Sequence, residues 1–179
     1  GSIVNVKESE DFSLAFTPLF STVKYNNGLV YNTPDSTSYG LNAVINEVEA
    51  SYKFLPQNTK IIAITGSNGK TTTTTMIYEL LKTEYNNVHL GGNIGIPLSN
   101  LINNVKEGDI LVLEISDHQL CDMYDFKTDV SVITNIYDCH TDFHDSHERY
   151  VEIKKKIFMN HDSSDIAIIN KDNNEVIDM

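Results

Sequence analysis

Lys70 and the hydroxyls around it are the residues of this chain whose spacing best suits chemistry on phosphate. Gly66-Ser67-Asn68-Gly69-Lys70-Thr71-Thr72 follows an apolar run, Lys60–Thr65, and opens a helical pattern. Glycines let a backbone wrap an anion, the unpaired N–H groups of a helix start point at it, and a lysine adds positive charge. A hydroxyl at Thr71 is suited to ligating magnesium. The strict pattern GxxxxGK[ST] requires glycine at position 64, where this chain has Ile64, so the loop is a GxxGK variant. The rival reading is a strand-to-helix turn with an exposed lysine; strand, turn, Lys-Thr and helix together favour the phosphate loop. The run Thr71–Thr75 is then a first helical turn. Thr71 and Thr72 face phosphate and metal, while Thr73–Thr75 pack or face solvent.

Further polar residues follow later apolar runs. Gly91-Gly92-Asn93-Ile94-Gly95 comes after a short strand at Val88–Leu90, and its glycines let Asn93 approach a ligand. The run Asp109–Ser116 ends in Glu114-Ile115-Ser116, so a carboxylate stands where a nucleotide site needs an acidic magnesium partner. The run Asp129–Ile136 leads into His140, Asp142 and His144, which alternate and face one side if the segment is extended. A zinc site is the rival there. The helical HExxH motif is absent and neither Cys121 nor Cys139 is spaced as a structural ligand, so magnesium with phosphate is the preferred reading.

The triplet Lys154-Lys155-Lys156 lies in a helical pattern whose buried stripe is Tyr150, Ile153 and Ile157. At about 100° per residue Lys154 falls beside that stripe, while Lys155 and Lys156 point away. Burial favours a neutral amine, and a neutral amine reacts with carbon dioxide to give a carbamate, an anionic oxygen ligand for a cation. A lysine stem lying along the core edge explains the position equally well.

These residues need a scaffold that brings strand ends together. The runs Lys60–Thr65, Asp109–Ser116, Asp129–Ile136 and Asp165–Asn170 are continuous rather than alternating, as in strands covered on both faces. Helices are expected at about 70–85, 97–105 and 146–160, with a short one near 118–124. Alternating strands and helices predict an α/β fold with a doubly wound, mainly parallel sheet of P-loop NTPase type, which binds ligands beyond the carboxyl ends of its strands.

Residues 1–57 read as a separate N-terminal segment, a hairpin plus a helix, ahead of a partial central domain at 58–179. Ser21–Tyr25 and Leu29–Asn32 flank Asn26-Asn27-Gly28, a hairpin turn signal. Leu41, Val44, Ile45, Val48, Tyr52 and Leu55 form a helical stripe with Asp35 or Ser36 as its cap. Gly1-Ser2 without methionine reads as a cloning scar.

With 40% hydrophobic and 21% charged residues the composition is that of a globular protein. No stretch approaches a membrane span, so no membrane insertion is expected. A net charge of −12 argues against nucleic acid as a partner, because such binding displaces counterions with clustered cations. Two cysteines without CxxC spacing fit a reducing, cytoplasmic compartment.

Taken together, ITGSNGKTTTTTM at 64–76, GGNIGIP at 91–97, LEISDHQL at 113–120 and NIYDCHTDFHDSHERYVEIKKKI at 135–157 resemble the Mur ligase family, as does the short NEVEASY at 46–52. The resemblance implies an ATP-dependent amide-bond ligase of peptidoglycan precursor synthesis, with the branch adding D-glutamate to UDP-N-acetylmuramoyl-L-alanine the most similar. It implies phosphorylation of a substrate carboxylate, attack by an amine and loss of phosphate. Gly66–Thr72 would then hold the ATP phosphates, with Lys70 catalytic, and Thr71 and Glu114 would serve one Mg2+. His140 would stand near a second Mg2+, Lys154 would be carbamylated, and Asn93 and Ser116 would line the substrate. The partners implied are ATP, the UDP-linked muropeptide and D-glutamate, with a monomeric enzyme. The alternatives are a ligase with another acceptor, similar to folylpolyglutamate synthase, and a non-catalytic nucleotide-binding module. The chain departs from the family at Asp117, where a serine is usual, and at Cys139. The family has three domains, of which the resemblance covers part of the central one, so this stretch alone is expected to be catalytically incomplete.

Overall fold

Along Lys60–Thr65, Ile61 and Ala63 point to one face while Ile62 and Ile64 point to the other, and apolar neighbours meet both sets. Such a strand belongs in the middle of a sheet covered on both sides. A computed structural model of the chain describes residues 22–25, 43–137 and 146–177. Its elements in chain order are β1 (Thr22–Tyr25), β2 (Ala43–Asn46), α1 (Glu47–Tyr52), β3 (Lys60–Thr65), α2 (Lys70–Leu81), β4 (Val88–Gly92) and α3 (Leu98–Leu101). They continue as β5 (Ile110–Glu114), α4 (Asp117–Cys121), β6 (Val130–Ile133), α5 (His147–Lys155), a 3-10 turn (Lys156–Phe158), β7 (Ile166–Ile169) and α6 (Asn174–Ile177).

The main sheet has the order β4-β5-β3-β6-β7, and every pairing in it is parallel. On one face α2 covers Ile64, Val112 and Val132 with Ile77, Tyr78 and Leu81. On the other, α3, α4 and α5 bring Leu98, Leu101, Leu120, Tyr150 and Ile153 against Ile61, Ala63, Leu111, Leu113 and Ile133. Leu111, Leu113 and Ile64 are fully buried, and each such side chain stabilises the fold by about 1.5–3 kcal/mol. The expected doubly wound α/β sheet is therefore what forms. Strands β3, β5 and β6 carry their carboxyl ends to one edge, where the loop before α2 also lies.

Several elements are shorter than their sequence patterns. The pattern at 97–105 yields a single helical turn, α3, and that at 70–85 ends as a helix at Leu81. The run Asp109–Ser116 is a strand only to Glu114, because Ser116 turns extended to cap α4. Asp129–Ile136 leaves the sheet after Ile133, where Thr134 and Asn135 bond the phosphate loop instead.

The N-terminal segment differs more. Of the expected helical stripe, Leu41 lies outside the described residues, and Val44 and Ile45 are not helical. Ala43–Asn46 is strand β2, antiparallel to β1 with Thr22 opposite Asn46 and Tyr25 opposite Ala43. β-Branched Val44 and Ile45 favour a strand. Asn46 then stops it: its extended backbone and its side chain, accepting from Glu49 N at 2.8 Å, make it the N-cap of α1. The expected hairpin partner Leu29–Asn32 and the caps Asp35 and Ser36 lie outside the described residues.

Helix α1 is docked on the main core by Val48, which is fully buried. Glu47 accepts from Ser99 N at the start of α3. The buried carboxylate of Glu49 accepts from the backbone N–H groups of Tyr124, Asp125 and Phe126 at 3.3, 2.9 and 3.0 Å. Three N–H donors on one carboxylate satisfy a group whose burial would otherwise be costly.

Candidate functional site

The loop between β3 and α2 is built on two glycines with positive φ. Gly69, at φ 80°, is the N-cap of α2. Gly66, at φ 143°, passes so close to β6 that an added Cβ would lie 2.0 Å from Thr134 Oγ1. Helix α2 makes its first loop contact through Thr73 N, which donates to Gly69 O at 2.9 Å. The N–H groups of the residues before Thr73 in this first turn have no intrahelical acceptor, which is the arrangement that binds anions. Lys70 folds back over the loop, its Nζ donating to Gly66 O at 2.9 Å and Ser67 O at 3.0 Å. Asn68 and Gly69 are exposed, and Ser67 is half-buried.

The threonine run divides its work. Thr71 Oγ1 donates to Glu114 Oε2 at 2.7 Å, joining the start of α2 to the end of β5. Thr72 is exposed beside it. Thr74 is fully buried and donates to Lys70 O at 2.8 Å, one turn back. Threonine's weak helix propensity is thus offset by a hydroxyl that reaches the acid of the site and another that anchors the backbone bearing Lys70.

Glu114 is 2% exposed, and its other oxygen, Oε1, accepts from Asn93 Nδ2 at 2.7 Å. The approach depends on Gly92, whose missing Cβ would fall 2.3 Å from Glu114 O. A hydroxyl and a carboxylate are hard oxygen donors, and magnesium takes one or two protein oxygens and completes its shell with water and phosphate. Thr71 and Glu114 fit that ion. Among the described residues no three His, Cys, Asp or Glu side chains gather into a metal cluster. His140, Asp142, His144 and Cys139 lie outside the described residues.

Lys154, expected beside the buried stripe, is fully buried. Its Nζ donates to Thr65 Oγ1 at 3.1 Å and Gly66 O at 3.3 Å, lies 3.6 Å from Asp117 Oδ1, and sits 5.1 Å from the Tyr150 ring centroid. Asp117 therefore pairs with this lysine. Ser116 is taken up by a capping box: its Oγ accepts from Gln119 N at 3.3 Å, and Gln119 Oε1 accepts from Ser116 N at 2.9 Å. Lys156, expected to point away from the core, instead turns towards α4 and donates to Cys121 O at 2.6 Å. Entry into the 3-10 turn changes its direction, and burial lowers its pKa. Burial likewise pushes the Cys121 thiol up, which suits a packing residue rather than a nucleophile.

The structure thus brings Gly66–Thr72, Asn93, Glu114 and Lys154 to one edge of the sheet. Sequence reasoning missed Thr65, Thr134 and Asn135, which hold the loop and Lys154 from behind, and gave Tyr150 only a packing role. Tyr150 OH is 2.9 Å from Ser67 Oγ. The signal for them was their place at the ends of β3 and β6, the two strands that flank the loop.

Residues 64–179 match the Mur ligase middle domain, more than half of the chain. A UDP-N-acetylmuramoylalanine–D-glutamate ligase of Elusimicrobium minutum (strain Pei191) is 43% identical over 133 residues, covering 71% of this chain and 29% of that protein. The ligase of the same name from Geobacillus kaustophilus (strain HTA426) is 40% identical over 156 residues, covering 86% and 34%. The chain spans about a third of the length of the curated relatives it matches. Among solved structures, the MurF ligase of Thermotoga maritima in complex with ADP superposes with a TM-score of 0.57 at 26% identity, covering 74% of this chain and 32% of that one. E. coli FolC in complex with DHPP and ADP shares the fold, with a TM-score of 0.50 at 19% identity, covering 73% and 42%. By the match of its middle domain and the identity of these relatives, the chain belongs to the Mur ligase family.

Proposed function

We propose that the chain is the nucleotide-binding core of a ligase that uses ATP to join D-glutamate to UDP-N-acetylmuramoyl-L-alanine. The observation that carries the reading is the contact of Thr71 with Glu114 at the mouth of the glycine loop. It sets a hydroxyl and a carboxylate beside Lys70 and a free helix start, as phosphoryl transfer requires. The relatives named as D-glutamate ligases, at 38–44% identity, supply the substrate class.

In this reading the N–H groups at the start of α2 hold the polyphosphate of ATP, and Lys70 leaves the carbonyls of Gly66 and Ser67 to contact phosphate oxygens. Thr71 and Glu114 would hold Mg2+, which when bound would neutralise charge on those oxygens. The muropeptide carboxylate, oriented by Asn93 through the Nδ2 proton that Glu114 does not take and by Ser116 once its hydroxyl turns from Gln119, attacks the terminal phosphorus; the bond to ADP breaks and an acyl phosphate forms. The amine of D-glutamate then attacks the acyl carbon, loses a proton, and the collapsing tetrahedral intermediate expels phosphate. Carbamylation of Lys154 would replace its ion pair with Asp117: the deprotonated amine would add to carbon dioxide, forming an N–C bond and releasing a proton, and the carbamate would offer oxygen to a second cation with His140. The protein acts in the cytoplasm as a monomer, with residues 1–57 a remnant of a uridine-nucleotide-binding domain or a linker.

The test grafts residues 60–177 in place of their counterpart in the Clostridium botulinum ligase, 44% identical over 129 residues. The chimera is expected to release phosphate only when D-glutamate and UDP-N-acetylmuramoyl-L-alanine are both present, and Lys70→Ala to lower that rate by at least about a hundredfold. A folded chimera that binds Mg-ADP yet releases no phosphate, or that prefers a folate and L-glutamate, contradicts the proposal. A carbamate carbon signal in the 13C spectrum with labelled bicarbonate, absent in Lys154→Met, tests the modification.

A further inference from the structure

The side chain of Asn135 faces the backbone of Asn68 with both halves of its amide. Asn68 N–H donates to Asn135 Oδ1 at 2.9 Å, and Asn135 Nδ2 donates to Asn68 O at 3.0 Å. Thr134 Oγ1 donates to the same carbonyl at 2.7 Å, and Ser67 N–H donates to the Asn135 carbonyl at 2.9 Å. Four hydrogen bonds therefore tie the tip of the phosphate loop to the two residues that follow β6. The tip itself is exposed at Asn68 and Gly69, while Ser67 beside it is also held by Tyr150 OH and by the Tyr137 N–H, each 2.9 Å from its Oγ.

We propose that Asn135 is a positioning residue for the nucleotide: it clamps the Asn68 peptide so that the loop enters α2 with the helix-start N–H groups already aimed at phosphate. The inference rests on the reading of this loop as the nucleotide site. Asn135 itself touches no phosphate; it acts through Asn68. Only an amide meets both demands from one planar group, since a carboxylate accepts but cannot donate and an alanine does neither. Fixing the loop before the ligand arrives removes an ordering cost from binding.

The test compares the unaltered chain with Asn135→Ala and Asn135→Asp, by amide hydrogen exchange without ligand and by calorimetric titration with Mg-ADP. The expected result is exchange at the Asn68 amide about tenfold faster in Asn135→Ala, with ADP binding weakened about tenfold in both variants while the thermal midpoint stays near that of the unaltered chain. Asn135→Asp is nearly isosteric and keeps the acceptor for Asn68 N–H, so it reports on the lost donor even if the alanine variant folds poorly. Variants that bind ADP within about twofold of the unaltered chain overturn the clamp and leave the nucleotide reading intact. Affinity that falls only in step with the thermal midpoint, without faster exchange at Asn68, also overturns it. Absence of ADP binding by the unaltered chain overturns both readings together.

Discussion

Lys70 and Lys154 converge on one atom: both Nζ groups donate to the carbonyl oxygen of Gly66, at 2.9 and 3.3 Å. One lysine comes from the helix that follows the loop, the other from α5 on the opposite face of the sheet. The loop is therefore bracketed by two amines, of which Lys154 is anchored by Asp117 and Thr65 and Lys70, among the described residues, by loop carbonyls. This difference suits Lys70 to exchange its carbonyls for phosphate and Lys154 to stay in place.

Removing Lys154 should expose the cost of the partner it leaves behind. In the unmodified chain Lys154→Met is expected to lower stability by about 3 kcal/mol, because Asp117, although His118 Nδ1 lies 3.4 Å from its other oxygen, stays buried without the lysine ammonium. Adding Asp117→Asn should recover more than half of that loss. Urea unfolding of both single variants and the double variant reads the coupling directly, and simple additivity would remove the ion pair from the account.

Glu114 should govern the metal rather than the phosphate. With its carboxylate replaced in Glu114→Gln, ADP affinity measured with excess magnesium is expected to fall about tenfold, while affinity in EDTA changes little. Equal losses in the two conditions would place Glu114 outside the metal site.

Gly66 tolerates no side chain. An alanine there meets Thr134 Oγ1 and is forced to a φ of 143°, and the expected cost is at least about 2 kcal/mol. Thr134→Ala in the same chain should relieve the clash but not the backbone strain, so denaturant unfolding should show partial recovery.

Asp109 lies at the far end of the sheet and predicts an acid limit. Burial alone would raise its pKa, but the N–H of Lys106 at 2.9 Å, His89 Nε2 at 2.7 Å and Asn87 Nδ2 at 3.3 Å outweigh burial and leave it below its ordinary value. A carboxyl whose folded pKa is depressed contributes stability above its unfolded pKa of about 3.9 and loses it as pH falls through the folded value. Urea midpoints measured from about pH 5 downward should therefore drop more steeply for the unaltered chain than for Asp109→Asn.

The legible part of the fold was the part dictated by local pattern. Lys60–Thr65 reads as a doubly covered strand and forms one over the same residues, because alternate Ile and Ala side chains are buried on opposite faces. Lys154 was legible too, since 100° per residue carries it beside the Tyr150–Ile153 stripe whatever surrounds the helix. Helical spacing misled at Val44 and Ile45, where the pairing with β1 outweighs an i, i+3, i+4 pattern. Asn135 could be placed from the sequence only at the end of the β6 run, not against its partner Asn68, which is 67 residues away. Only the adjacency of β3 and β6 brings the two together.

The most direct measurement is calorimetric titration of this chain with Mg2+ and a non-hydrolysable ATP analogue, beside Lys70→Ala with its fold checked by circular dichroism. The expected result is saturable one-to-one binding by the unaltered chain and loss of at least about 2 kcal/mol of binding free energy in the folded variant. Equal binding by both would contradict the assignment of the Gly66–Thr72 loop as the phosphate site.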